Sequence, residues 1–289
     1  MEYSGLTTKY PVNRPLTGLD RERQLHQGTK LNVELAYQLS VISVDSESLE
    51  LVDKYYAWKG VLTTFVFVAS TILACLLGGM TLISLTTPGR MAEDWPFLLA
   101  LYGMASPLAF LLYWVLRREI FAFTHYPIRL ERASQMVHVF RLDGTVLSAP
   151  WKDIFFCLDT GQMNNWNIRG HVLTDDNETV LETFALAPVG AGEVGRQVLL
   201  GYWEFVRGYM EDGEAGVTRA VKLAEILVPI ANQRERAIDG FRRMHAESSG
   251  GPVVFMPIIA AIGLALLPAR WLAIQSSKVP KWPANVLTK

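Results

Sequence analysis

The sequence predicts a membrane protein in which a transmembrane helical hairpin carries an α+β domain in the cytoplasm. Two long runs without a charged residue predict the hairpin, and only a short stretch with helix-breaking residues separates them. After the second run, apolar residues alternate with polar ones, and this pattern predicts strands with one buried face. The 27 basic and 28 acidic residues give a net charge of -1, which does not favour a nucleic-acid-binding protein.

The two apolar runs are each long enough to cross a bilayer. The run Val61–Leu85 exceeds the roughly 20 apolar residues that span the hydrocarbon core. The run Trp95–Leu116 has aromatic residues near its ends, where such side chains favour the membrane interface. Because Pro88 and Gly89 lie between the runs, the two helices are predicted to pair antiparallel. The N-terminus lacks the pattern of a cleavable signal peptide, so insertion is expected to depend on these helices.

Small residues recur in both predicted helices at a spacing that lets another helix approach closely. They are Ser70, Ala74 and Gly78 in the first helix and Ala105 and Ala109 in the second. This set is a candidate surface either for packing within the hairpin or for a partner protein in the membrane.

Basic residues flank the hairpin on one side. They are Lys54, Lys59, Arg117, Arg118, Arg129 and Arg132, whereas the stretch between the helices has Arg90 beside two acids. Lysine and arginine near membrane helices stay on the cytoplasmic side. The N-terminus and the main domain are therefore predicted to be cytoplasmic, in a multi-pass protein of the bacterial inner membrane.

A third apolar run, residues 251–275, is interrupted by Pro252, Pro257 and Pro268. Its length is marginally sufficient to span, and we favour a third membrane helix over a re-entrant or interfacial segment. A complete span would place the last residues outside the cytoplasm.

Between the hairpin and the third run, the pattern predicts about six strands followed by one helix. Asp143 and Gly144 separate two alternating runs and indicate a β-hairpin. Residues Glu193–Asp212 have an apolar stripe and a charged stripe, and Gly213 is a suitable helix stop. An antiparallel meander or barrel closed by a C-terminal helix resembles the pleckstrin-homology-like fold, which by itself implies no function.

These elements predict six segments along the chain. They are an N-terminal cytoplasmic segment (1–56), the transmembrane hairpin (57–118), the strand-rich domain with its closing helix (119–216), a helical charged connector (217–250), the third membrane helix (251–275) and a tail (276–289). The connector is expected to be a solvated surface; the alternative is a basic face against anionic lipid headgroups.

No motif for catalysis, cofactor binding or metal binding is recognisable, so the chain is predicted not to be an enzyme. The five histidines are scattered, and the two cysteines, Cys75 and Cys157, are expected to be buried apart from each other. Aromatic and basic residues beyond the needs of folding are candidates for protein interaction on the domain. They are Trp151, Trp166, Trp203 and Arg207, with core packing as the alternative for the helix residues.

Five segments together resemble a known family. They are PVNRPLT, VDKYYAWKG, YPIRLER, PWKDI and WEFVRGYMEDG. The family consists of uncharacterised bacterial inner-membrane proteins, classified as a domain of unknown function and often encoded beside type VI secretion effector genes. The resemblance implies an immunity protein that binds a cognate pore-forming toxin in the membrane. A second hypothesis is a membrane-anchored adaptor or assembly factor for effector secretion.

Overall fold

The structure, a computed structural model, describes residues 5–6, 9–36, 40–160, 165–213, 228, 230, 233–241 and 256–287. The helices are α1 (Gly18–Glu22), α2 (Val61–Thr86), α3 (Arg90–Leu116), α4 (Gly192–Asp212), α5 (Met256–Ser276) and α6 (Ala284–Leu287), with a 3₁₀ turn at Trp151–Asp153. The strands are β1 (Arg14–Pro15), β2 (Gln24–Leu25), β3 (Val41–Val44), β4 (Ser48–Leu51), β5 (Ile128–Glu131), β6 (Met136–Phe140), β7 (Val146–Pro150), β8 (Ile154–Thr160), β9 (Asn165–Leu173) and β10 (Thr179–Ala191). The chain is therefore an α+β protein with two long apolar helices.

The first sheet has the strand order β3-β4-β5-β6-β7, with every pair antiparallel. Strands β4 and β5 are direct neighbours, and Leu51 on β4 lies opposite Ile128 on β5. The complete α2–α3 hairpin lies between these two strands in the sequence. The hairpin is thus an insertion into a sheet.

The second sheet has the order β1-β10-β9-β8-β2 and is also antiparallel. The six predicted strands correspond to β5 through β10, but within the described residues they form two open sheets and not one closed barrel. The N-terminal segment adds strands to both sheets, which the sequence analysis did not foresee. These added strands are two to four residues long, too short to show the alternation that identifies a strand.

The predicted hairpin at Asp143 and Gly144 is present between β6 and β7, with a longer turn than expected. Gly144 has a positive φ of 88°. The Asp143 carboxylate accepts hydrogen bonds from the backbone N–H and the hydroxyl of Thr145. This side chain stabilises the turn locally, as aspartate commonly does.

The main core lies where the two sheets and α4 meet. The helix packs its apolar stripe on β9 and β10. The core includes Leu49, Leu51, Ile128, Leu130, Phe156, Ile168, Trp151, Trp203, Val206 and Tyr209, all buried. The predicted helix and its stop are confirmed, since α4 ends at Asp212 and Gly213 has a positive φ of 78°.

Helix α3 begins earlier than the apolar pattern indicated. The sequence predicted that the polar stretch between the helices extends to Asp94, whereas α3 starts at Arg90. Asp94 accepts hydrogen bonds from Arg90 and Ser84. Glu93 is the acid in the first helical turn, where it interacts favourably with the helix dipole. Gly89, with a positive φ of 81°, allows the sharp reversal.

Helix α5 lies beside α2, and its C-terminal end is next to the N-terminal end of α2. The chain after α5 returns to the strand-rich domain: Lys278 exchanges backbone hydrogen bonds with Ala122 and Thr124. The Trp282 indole donates to Glu50 on β4. The tail therefore lies on the side of the domain, in contrast to the expectation for a complete span. The predicted connector falls mostly outside the described residues.

Candidate functional site

The α2–α3 hairpin exposes most of its apolar surface. Both helices are long and apolar enough to cross a membrane, and only 11% of each apolar stretch is buried. Between the helices, the hydroxyls of Thr81 and Tyr102 lie 3.0 Å apart, and Ser84 donates to Asp94. Thr63, Val66, Leu98 and Leu112 are also buried, and most of the other side chains are exposed or half-buried, as expected for a lipid-facing surface.

The small residues of the two helices differ in exposure. Ser70 and Ala105 are partly buried, whereas Ala74, Gly78 and Ala109 are exposed. A Cβ added at Gly78 would meet no other atom within 4 Å. Ala74 and Gly78, four residues apart and both exposed, therefore form an open strip on α2, and Ala109 is a separate exposed position on α3.

At the base of the hairpin, Arg270 of α5 joins three parts of the chain. Its guanidinium is buried and pairs through two nitrogens with Glu235, which is also buried. A third nitrogen donates to the backbone carbonyls of Tyr56, Ala57 and Lys59, just before α2 begins. Arg270 thus fixes α5 to the entrance of α2.

A second group of buried charges lies at the same base. Lys59 donates to the carbonyl of Phe123 at 2.6 Å, and Glu119 accepts from the backbone N–H and the hydroxyl of Thr63. Asp53 accepts from the backbone N–H groups of Tyr55 and Tyr126. Lys59, one of the basic residues that predicted the orientation, is therefore inside the protein.

Burial shifts the pKa values of this group. It lowers the pKa of Lys59 to about 8, although Glu119 and Asp53 oppose the shift. It lowers the pKa of His125 to about 3, and the nearby Lys59 adds to this shift. It raises the pKa of Asp53 against the hydrogen bonds from Tyr126 and Tyr55. The cavity between these side chains has a volume of about 10 Å³, room for roughly one water molecule. The arrangement therefore positions helices and leaves no space for a substrate.

A larger cleft of about 580 Å³ opens beside this base on the strand-rich domain. Apolar side chains from both sheets line much of it. Its lining includes Tyr10, Arg118, Tyr126, Phe140, Glu182 and Phe184. Arg141, at its edge, is paired with Glu182. This cleft is large enough for a small molecule or a peptide side chain.

A family model, described as "Family of unknown function (DUF6708)", matches residues 105–288, more than half of the chain. The chain belongs to this family. No curated protein and no solved structure matches it.

The region shared with the DUF6708 family begins inside α3 and extends to the end of α6. It contains β5 to β10, α4 and α5, including Arg270 and Glu235. The expectation of a family without an assigned function is confirmed.

In this DUF6708 protein, three of the four candidate interaction residues lie in the core. Trp151 and Trp203 are buried and stacked with ring centroids 5.6 Å apart, and Trp151 donates to Glu211. Arg207 is buried and pairs with Glu204 through two nitrogens. Trp166 is partly exposed at the start of β9, between the guanidinium groups of Arg23 and Arg196.

One group of side chains among the described residues is suited to hold a metal ion, and the sequence analysis did not find it. It consists of Asp20, Cys157 and His171, whose ligand atoms all lie within 4.8 Å of one another. These residues come from three separate elements, so no short spacing in the sequence indicates the cluster. Neither cysteine forms a disulfide; Cys75 is exposed, contrary to the expectation, and Cys157 is buried.

Proposed function

We propose that this protein is an inner-membrane immunity protein that binds and neutralises a pore-forming type VI secretion effector, without enzymatic chemistry. The open strip on the hairpin supports this proposal. Small side chains let a second helix approach closely, and Ala74 and Gly78 are exposed on α2, with Ala109 exposed on α3. A helix of an inserted toxin would pack there, and this contact would prevent the toxin from assembling with its own copies.

The rigid base supports the same function. Hydrogen bonds connect Arg270 to the Lys59 carbonyl, Lys59 to the Phe123 carbonyl and Ser277 to the Glu119 carbonyl. These contacts hold the hairpin in one orientation relative to the domain. A binding surface that is already ordered loses less conformational entropy when its partner arrives.

We further propose that the base of the hairpin faces the cytoplasm and contacts anionic membrane lipids. Arg117 and Arg118 follow α3 and lie over Tyr113 and Trp114, in the position expected of interfacial residues. Helix α5 would enter the membrane beside α2 as a re-entrant segment, because Glu235 before it and Lys278 after it both lie at the base.

The strand-rich domain is proposed to be pleckstrin-homology-like. Strands β4 to β10 follow one another antiparallel in two sheets, and α4 then packs against the second sheet. The membrane hairpin would be an insertion between the first two strands of that series.

The test is the survival of sensitive bacterial cells that express the membrane-acting protein encoded beside this gene. Cells that also contain this chain should survive and keep their membrane potential. Equal survival with and without the chain would reject the proposal.

Two variants locate the contact. Gly78→Leu fills the open strip and should abolish protection, whereas Leu76→Phe enlarges an exposed side chain elsewhere on α2 and should preserve it. If both variants protect equally well, the partner does not bind at the strip.

The large cleft supports a second candidate, a membrane-anchored adaptor that binds an effector at its cytoplasmic face. Deletion of the gene distinguishes the two. Loss of an adaptor abolishes effector secretion, whereas loss of an immunity protein leaves secretion intact and makes the cell susceptible to its siblings.

A further inference from the structure

Three side chains from distant parts of the chain converge beside the second sheet. Asp20 comes from α1, Cys157 from β8 and His171 from β9, and all three are buried. Carboxylate, thiolate and imidazole are the ligand types that zinc and related divalent metals use in proteins.

The distance between two of the ligand atoms matches a metal site. Cys157 Sγ and His171 Nε2 lie 3.5 Å apart. In a tetrahedral zinc site with Zn–S of about 2.3 Å and Zn–N of about 2.0 Å, the two ligand atoms are separated by about 3.5 Å. A direct S–H···N hydrogen bond also fits this distance, so an experiment must separate the two.

The histidine is oriented as a ligand would be. His171 Nδ1 lies 2.8 Å from the hydroxyl of Thr183 on β10. When Nδ1–H donates to that hydroxyl, Nε2 keeps its lone pair and directs it towards Cys157.

The charges around the cluster are compatible with a cation. Asp20 accepts hydrogen bonds from Arg14 and from the backbone of Thr17 through Oδ2, so its carboxylate is ionised and held in place. The other nearby arginine, Arg169, is paired with Asp159 at 2.6 Å. Arg14 therefore shares the Asp20 carboxylate with the proposed ion, whereas Arg169 has a carboxylate partner outside the cluster.

We propose that Asp20, Cys157 and His171 bind a zinc-type divalent metal ion that ties α1 to the second sheet. The ion binds the thiolate, so Cys157 releases its proton to solvent when the metal enters. Three protein ligands leave a fourth tetrahedral position for water. Because all three ligands are buried, the ion would hold α1 and the second sheet together in the interior of the protein.

The metal content of the purified full-length protein in detergent tests this proposal. Protein prepared without chelators should contain about one zinc per chain, as expected for a single site. Addition of Co²⁺ to the zinc-free protein should produce the near-ultraviolet absorption band of a cobalt–thiolate bond. The two cysteines supply a matched pair: Cys157→Ser should lose the metal and the band, whereas Cys75→Ser should keep both.

A measurement on the natural sequence tests the proposal without depending on whether a variant folds. With zinc present, alkylation of Cys157 should be at least tenfold slower than after treatment with a chelator, whereas alkylation of Cys75 should not change. Thr183→Val should weaken metal binding by roughly 10-fold to 100-fold, because it removes the partner that orients His171. The proposal is wrong if the folded protein contains no metal, shows no cobalt band and has the same rate of Cys157 alkylation with and without the chelator. The contact between Cys157 and His171 would then be a hydrogen bond.

Discussion

Arg270 shows how one residue connects the long apolar helices to the domain. Its guanidinium is 1% exposed and is held by a carboxylate and three carbonyl oxygens. A buried ion pair of this kind is costly to break, because removal of one partner leaves an uncompensated charge in the interior. The pair therefore specifies where α5 lies.

Removing this guanidinium should strongly destabilise the protein. We expect Arg270→Ala to lower the free energy of unfolding by about 3–5 kcal/mol, since Glu235 would remain buried without its partner. Denaturant titration in detergent, followed by tryptophan fluorescence, measures the loss. Arg196→Ala is the control, because its pair with Glu193 is exposed and should contribute less than about 1 kcal/mol. Equal losses for the two variants would contradict this role for Arg270.

His125 makes stability depend on pH. Burial lowers its pKa from 6.5 to about 3 in the folded protein, so between these values the unfolded chain binds the extra proton. Stability is then expected to fall as the pH decreases from about 6.5 towards 3, with a slope of up to about 1.4 kcal/mol per pH unit.

The variant His125→Gln should reduce this slope, and His26→Gln should not, because His26 is exposed. Unfolding midpoints measured between pH 7 and pH 4.5 test the difference. An unchanged slope in His125→Gln would mean that other groups cause the acid sensitivity.

At the scale of elements, close approach between α5 and the start of α2 depends on Gly60. This residue has a φ of 99°, and a Cβ there would lie 2.5 Å from the Cα of Arg270. Other side chains are strained in this conformation, and the neighbouring atom belongs to the backbone. Only glycine allows the two helices to meet in this way.

Gly60→Ala should therefore separate α5 from α2. We expect a loss of about 1–3 kcal/mol, the usual cost of a strained backbone position. Gly78→Ala is the matched control within the same helix, because a Cβ there meets nothing within 4 Å. Thermal unfolding of the two variants in the same detergent measures both losses of stability. If Gly78→Ala loses as much stability as Gly60→Ala, the close contact at Gly60 is not the cause.

Long elements were predictable from the sequence, and the contacts between them were not. The C-terminal end of α2 was predicted to within one residue, because an uncharged apolar run of this length indicates a single long helix. The buried partners of Lys59 and Arg270 were not predictable, because each joins residues far apart in the chain. A flanking lysine on a membrane helix usually contacts lipid headgroups, and nothing local distinguishes Lys59 from that pattern.

At the scale of the whole molecule, the position of the tail determines the topology. Lys278 and Trp282 contact the strand-rich domain, and so both chain termini that the structure describes lie near the same base. The sequence could not show this, because the basic residues on the two sides of the third run are balanced.

Labelling with a membrane-impermeant maleimide tests this topology. In a Cys75→Ser background, Pro88→Cys in the turn between α2 and α3 should react from outside the spheroplast. Lys278→Cys should react only after the membrane is permeabilised. Labelling of Lys278→Cys in intact spheroplasts would show that α5 carries the tail across.

The insertion of the hairpin between β4 and β5 also imposes an order on biosynthesis. Strand β4 leaves the ribosome before the hairpin, and its neighbour β5 leaves after it. At about 5–20 residues per second, β4 has an unpaired edge for several seconds while both helices are synthesised. The sheet closes only after this step, so under the proposed membrane insertion the domain is completed after the hairpin has reached the bilayer.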